Sequence, residues 1–197
     1  MAARAHSADP RAERVRALLR DAAFALAHER AVDGITVGDL VARAGVSRQV
    51  FYQHFADRDD AVATAVTAAF AAATRGIDGD PRSRILRVFE AAAAHRAVYH
   101  HVVPSAVTQR VVAAFRAELL PACQEMAEAA MPVVGSIAGL DVDAVSRFLV
   151  GGFQEVLWSW MEDPQAHTDL RSRVIAALDT VDALLGVTPS TERHSRG

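Results

Sequence analysis

TVGDLVARAGVSRQVFYQHF, residues 36–55, decides how this chain is read. Thr36 suits the N-cap of a short helix in which Val37, Leu40, Val41 and Ala44 share one face, and Gly45 suits its left-handed C-cap. Ser47 then caps a second short helix, and Val50, Phe51 and Phe55 give that helix an inward side. The break Gly45-Val46-Ser47 is too short for anything but a sharp angle. Arg48, Gln49, Tyr52 and Gln53 fall at i, i+1, i+4 and i+5, so they project from the other side of the second helix without a run of neutralising charge.

Two short helices joined by a tight Gly-containing turn form a helix-turn-helix, whose second helix lies in the DNA major groove. The outward residues have the matching chemistry. Arg donates a bidentate pair to guanine, Gln pairs with adenine, and Val50 suits a thymine methyl. Tyr52 and His54 suit phosphate oxygens. From residue 40 to 58, Arg43, Arg48 and Arg58 stand against Asp57 alone, a local basic surplus in a chain of formal net charge -3.

Upstream, Asp9 and Pro10 predict a helix start after an arm of residues 1–9, taken as disordered. Val15, Leu18, Leu19, Ala22, Ala23 and Leu26 then make one apolar stripe ending near Asp33-Gly34. Downstream, Asp57 caps a fourth helix running toward Gly76, and Pro81 opens a fifth through about His95, followed by a short helical piece up to Pro104. A long helix is expected from Ser105 to about Ala130, kinked at Pro121 and broken by MPVVGSIAG at 131–139. Two last helices, near 142–162 and 169–185, take Asp141 and Thr168 as caps, with Gly186 before a polar tail, residues 187–197. The expectation is an all-α chain of about nine helices: a DNA-binding domain over 10–56 and a larger helical domain over 57–186.

The segment TVGDLVARAGVSRQVFYQHFADRDD, residues 36–60, resembles the TetR-type transcriptional regulators, and the likeness extends upstream to about residue 11. Thr36, Leu40, Val41, Ala44–Ser47, Tyr52 and Phe55 carry it. The resemblance implies a homodimeric repressor that a small-molecule effector releases from a palindromic operator. It implies DNA contacts at Thr36, Ser47, Arg48, Gln49, Val50, Tyr52, His54 and Arg58; Arg43 and Gln53 join them from the local charge and the exposed face. Gln49 stands where the family commonly has Gly, which bears on the operator read.

The resemblance also implies that the last two helices pair with those of a second subunit. Periodicity places Val145, Leu149, Gly152, Phe153, Val156 and Trp160 on one face of the first, and Val174, Leu178, Val181 and Leu185 on one face of the second. Two residues of helix rotate by about 200°, so Trp158 and Trp160 point oppositely. Trp160 is assigned to the dimer side. Phe89, Tyr99, Phe115, Met126, Phe148 and Trp158 are the candidate lining of an effector pocket.

Other chemistries find no support. The basic residues are all Arg, which need not mean phosphate binding, and hydrophobic residues make up 51% of the chain. The single Cys123 has no partner for a disulfide and reads as a small core residue. His95, His100 and His101 contain no i, i+4 pair, so no metal site is expected. No Gly-rich phosphate loop or catalytic constellation points to an enzyme or a cofactor. The N-terminus lacks a secretory signal's apolar run, and Ala61–Ala73 falls short of the roughly 20 residues of a membrane span, so a cytoplasmic home without membrane contact is expected. The alternative is a helical small-molecule-binding protein or enzyme that does not read DNA.

Overall fold

The computed structural model describes residues 10–103, 105–137, 139–163 and 170–186. The expected caps Asp9 and Thr168, Pro104, the arm at 1–9 and the tail at 187–197 lie outside the described residues. Those residues form α1 (Pro10–Glu29), a 3-10 turn (Val32–Gly34), α2 (Val37–Ala44), α3 (Arg48–Tyr52), α4 (Arg58–Thr74), α5 (Pro81–Ala93), α6 (Arg96–Val102), α7 (Thr108–Val134), α8 (Val142–Glu162) and α9 (Leu170–Leu185). There is no strand among them.

Side-chain caps satisfy the orphan amides at helix starts. Asp57 accepts from Asp60 N at 2.8 Å, Asp80 from Ser83 N at 3.1 Å, and Asp141 from Ala144 N at 2.8 Å. The long helix departs from expectation. Instead of ending near Ala130, α7 continues through Pro121 and Pro132 to Val134. Pro121 is on the exposed side, so the Ala117 carbonyl it leaves unpaired lies within reach of solvent. Past Pro132 the last turn still closes, with Gly135 N donating to Met131 O at 2.8 Å.

The chain falls into two compact units, one of residues up to Ala73 with His95–Ala114, the other of Thr74–Ala94 with Phe115 onward. In the first, α1 packs on α2 and α6. Its inward face is Leu19, Ala22, Ala23, Leu26 and Ala27, and the small Ala side chains let neighbouring backbones approach closely. Leu18, expected on this stripe, is 44% exposed because the buried arc sits one residue further round. Leu40, Phe51 and Phe55 complete the core beneath the helix-turn-helix.

In the second unit α9 packs on α5 and α8. Phe89 meets Phe115 edge to face at 5.4 Å and Phe153 at 6.3 Å, among buried Leu149, Val174 and Leu178. Arg82 ties α5 to α9 through Asp179, at 2.6 Å, and through buried Asp182.

Candidate nucleic-acid interface

A capping box sets the start of α2. Thr36 Oγ1 accepts from Asp39 N at 3.2 Å, while the Asp39 carboxylate accepts from Thr36 N at 2.9 Å and from its hydroxyl at 2.8 Å. These bonds, with Arg30 beside them, hold the Asp39 carboxyl below the usual carboxylate range. Gly45 ends α2 with φ 67° and ψ 32°, a left-handed conformation that glycine takes without steric cost. Val46 N donates back to Val41 O at 3.1 Å, and Ser47 Oγ accepts from Val50 N at 3.3 Å to start α3. Two helix ends thus meet across three residues.

Burial sorts the side chains of α3. Phe51 and Phe55 are buried, and Tyr52, its ring edge-on to Phe51 at 5.3 Å, is 60% exposed. Ser47, Arg48, Gln49 and Gln53 are also exposed, and Val50 and His54 are half-buried. The candidate set therefore gathers on the outer side of α3 at the turn.

Three predicted contacts are otherwise engaged. Arg43 makes a bidentate pair with Glu29 at the end of α1, its second bond 2.9 Å long. That pairing lowers the Glu29 pKa and raises that of Arg43. Arg58 donates to Asp33 O at 3.2 Å and Ile35 O at 3.3 Å and pairs with Asp59 at 2.6 Å, which fastens the start of α4 to the turn before α2. The Thr36 hydroxyl already donates its one proton to Asp39, so it has none to offer a phosphate. Asp39 and Glu29 escaped the sequence reading, although Thr36-x-x-Asp39 is a recognisable capping-box spacing.

The model for bacterial regulatory proteins of the tetR family matches residues 19–63, from within α1 to the first turns of α4. Two uncharacterised HTH-type transcriptional regulators, from two Mycobacterium tuberculosis strains, are 30% identical over a match of 156 residues that covers 68% of this chain. The chain belongs to the TetR family. It spans 63% of the length of those two TetR relatives. A Streptomyces avermitilis structure assigned to the TetR regulators superposes with TM-score 0.53 at 26% identity, over 85% of this chain and 98% of that one. A TetR transcriptional regulator from Streptococcus agalactiae shares the fold, with TM-score 0.63 at 16% identity, over 87% and 95%.

Outside the TetR motif, the candidate residues scatter. Of the expected pocket lining, Phe89, Phe115 and Met126 are buried in the second unit, Tyr99 is buried in the first, and Phe148 is 75% exposed. Trp158 is half-buried, its indole N–H donating to Glu162 at 2.9 Å. Of the expected dimer face, Val145, Leu149, Phe153, Trp160, Val174 and Leu178 are buried within their own unit. Val156, Val181 and Leu185 are half-buried and Gly152 is exposed. The six buried residues fill the intrachain packing of α8 and α9.

Two of the three histidines are engaged within the first unit. His101 Nδ1 lies 2.8 Å from Ala27 O, and His95 stacks edge-on against Phe24 at 5.2 Å and His28 at 5.5 Å. Among the described residues no three His, Cys, Asp or Glu side chains are arranged to hold a metal. Burial pushes the Cys123 thiol up to about 12, far from thiolate reactivity. No helix of the described residues is long and apolar enough to cross a membrane.

Proposed function

We propose that the protein is a homodimeric, sequence-specific transcriptional repressor acting in the cytoplasm, released from a near-palindromic operator by a small-molecule effector. The observation that carries this reading is the outward side of α3, where Arg48, Gln49, Tyr52 and Gln53 stand exposed beside a rigidly capped turn. Each subunit inserts α3 into one major groove, and its two copies sit about 34–36 Å apart, or a small multiple of that. The DNA-binding domain is residues 10–56 and the effector and dimerisation domain 57–186. Arg48 and Gln49 read base edges, and Tyr52 and His54 reach phosphates.

The second subunit is assigned to the outward faces of α8 and α9. Phe148, Gly151 and Gly152 are exposed on α8, with open space over both glycines, and Ala176, Thr180, Ala183 and Leu184 are exposed on α9. Small side chains there let two helix pairs approach closely around Phe148. The effector acts by linkage: it shifts the protein away from the operator-bound spacing only as far as its affinities for the two states differ.

Selection from a random DNA pool tests the reading by yielding a two-half-site operator. On that operator Arg48→Ala should weaken binding about tenfold or more in a gel-shift titration, and Tyr52→Phe less, with helicity and self-association unchanged. Wild-type affinity in both variants would refute the assignment of α3 as the reading helix.

A further inference from the structure

Gly38 lies in the first turn of α2, on ordinary helical backbone; its φ is not among the positive values of the described glycines. Nothing in the backbone conformation calls for glycine there, and glycine is a poor helix former. The reason is spatial. A Cβ at position 38 would sit 3.4 Å from Arg48 Nη2 and 3.3 Å from Thr36 Oγ1. At Gly34, Gly151 and Gly152, by contrast, an added Cβ would meet nothing within 4 Å. The Arg48 side chain therefore crosses from α3 and lays its guanidinium against the bare start of α2.

The neighbours make this contact decisive for where Arg48 points. Three other guanidiniums of this region are tied to carboxylates, Arg30 to Asp39 at 3.2 Å, Arg43 to Glu29, and Arg58 to Asp59 at 2.6 Å, and Arg16 lies over the Phe55 ring, 5.3 Å from its centroid. No hydrogen bond or ion pair of the described residues holds Arg48, and its side chain is exposed. A methyl group at 38 would press on Thr36 Oγ1 by no more than a few tenths of an ångström, which the side chain absorbs within its hydrogen bonds to Asp39. The far end of Arg48 has no such tie, so a side chain at 38 would shift the guanidinium and leave the fold standing.

We propose that Gly38 is a positioning residue for Arg48, and through it a determinant of the base pair that the reading helix prefers. The proposal rests on α3 being the DNA-reading helix. Gly38→Ala, Arg48→Ala and the double variant, titrated against an operator selected by the wild-type protein, form the test. Gly38→Ala should weaken binding several-fold, or shift the base preferred at the pair where Arg48→Ala erases preference. It should have no further effect in the Arg48→Ala background, and its melting temperature should equal or exceed the wild type's. An equal loss in both backgrounds, or wild-type affinity and base preference in Gly38→Ala, would overturn the positioning role while leaving the DNA reading intact. A wild-type protein that selects no sequence at all overturns both.

Discussion

At the scale of single residues, the arginines of the helix-turn-helix divide into one that is free to reach outward and several that hold the structure. Arg58 is held by two backbone carbonyls and Asp59, which makes it a strut between the turn before α2 and the start of α4. Arg58→Ala should therefore cost roughly 1 to 2 kcal/mol of stability in denaturant unfolding, from lost charge-assisted bonds. It should leave the salt dependence of operator binding unchanged, whereas removing a phosphate contact would lower that slope by about one. His95 gives a pH effect. Burial, and then the charge of His28, holds its pKa below the ordinary imidazole value of 6.5. The folded state thus binds fewer protons than the unfolded chain just below that pH. The stability this confers is present above 6.5 and is lost as pH falls through the folded value. Melts at about pH 7.5 and about pH 5.5 should differ less for His95→Gln than for the wild type.

At the scale of elements, the proposed dimer asks each of α8 and α9 to serve two partners. Their larger apolar residues, Leu149, Phe153, Val174 and Leu178, face their own unit, and the opposite faces carry Phe148 and Leu184 among small residues. Phe153→Ala should cost about 3 to 5 kcal/mol, because it opens a hole beside Phe89. Phe148→Ser should leave unfolding at low protein concentration near wild type and weaken self-association in sedimentation equilibrium. Equal destabilisation of the dilute protein by both substitutions would argue against an outward subunit face. Periodicity identified these helices and their apolar stripes. It did not say which neighbour each stripe meets, because a stripe facing a sister helix and one facing a second chain have the same spacing.

At the scale of the whole molecule, the proposed mechanism ties DNA affinity to oligomeric state and to salt. Two half-sites engaged together neutralise more phosphates than one, so operator binding should fall steeply and linearly in log–log form as salt rises. Monomeric Phe148→Ser should show a shallower slope on the same DNA. A slope equal to that of the wild type, in a variant shown to be monomeric, would count against binding as a dimer.

The helix-turn-helix was legible because its determinants are local. Thr36, Gly45 and Ser47 act on backbone within four residues of themselves, and the apolar spacing of Leu40, Phe51 and Phe55 specifies an inward side whatever lies beneath it. The sequence by itself thus determined the all-helical class, the order of the helices and the outward side of α3. Tertiary structure decided everything that depends on a partner distant in the chain. It paired Arg43 with Glu29, fastened Arg58 to the carbonyls of Asp33 and Ile35, and set the Arg48 guanidinium against Gly38. It also turned Leu149 and Phe153 inward and Phe148 outward. A charge or an apolar side chain reads the same in sequence whether it is free or engaged, since the free energy that commits it comes from contacts the local spacing does not contain.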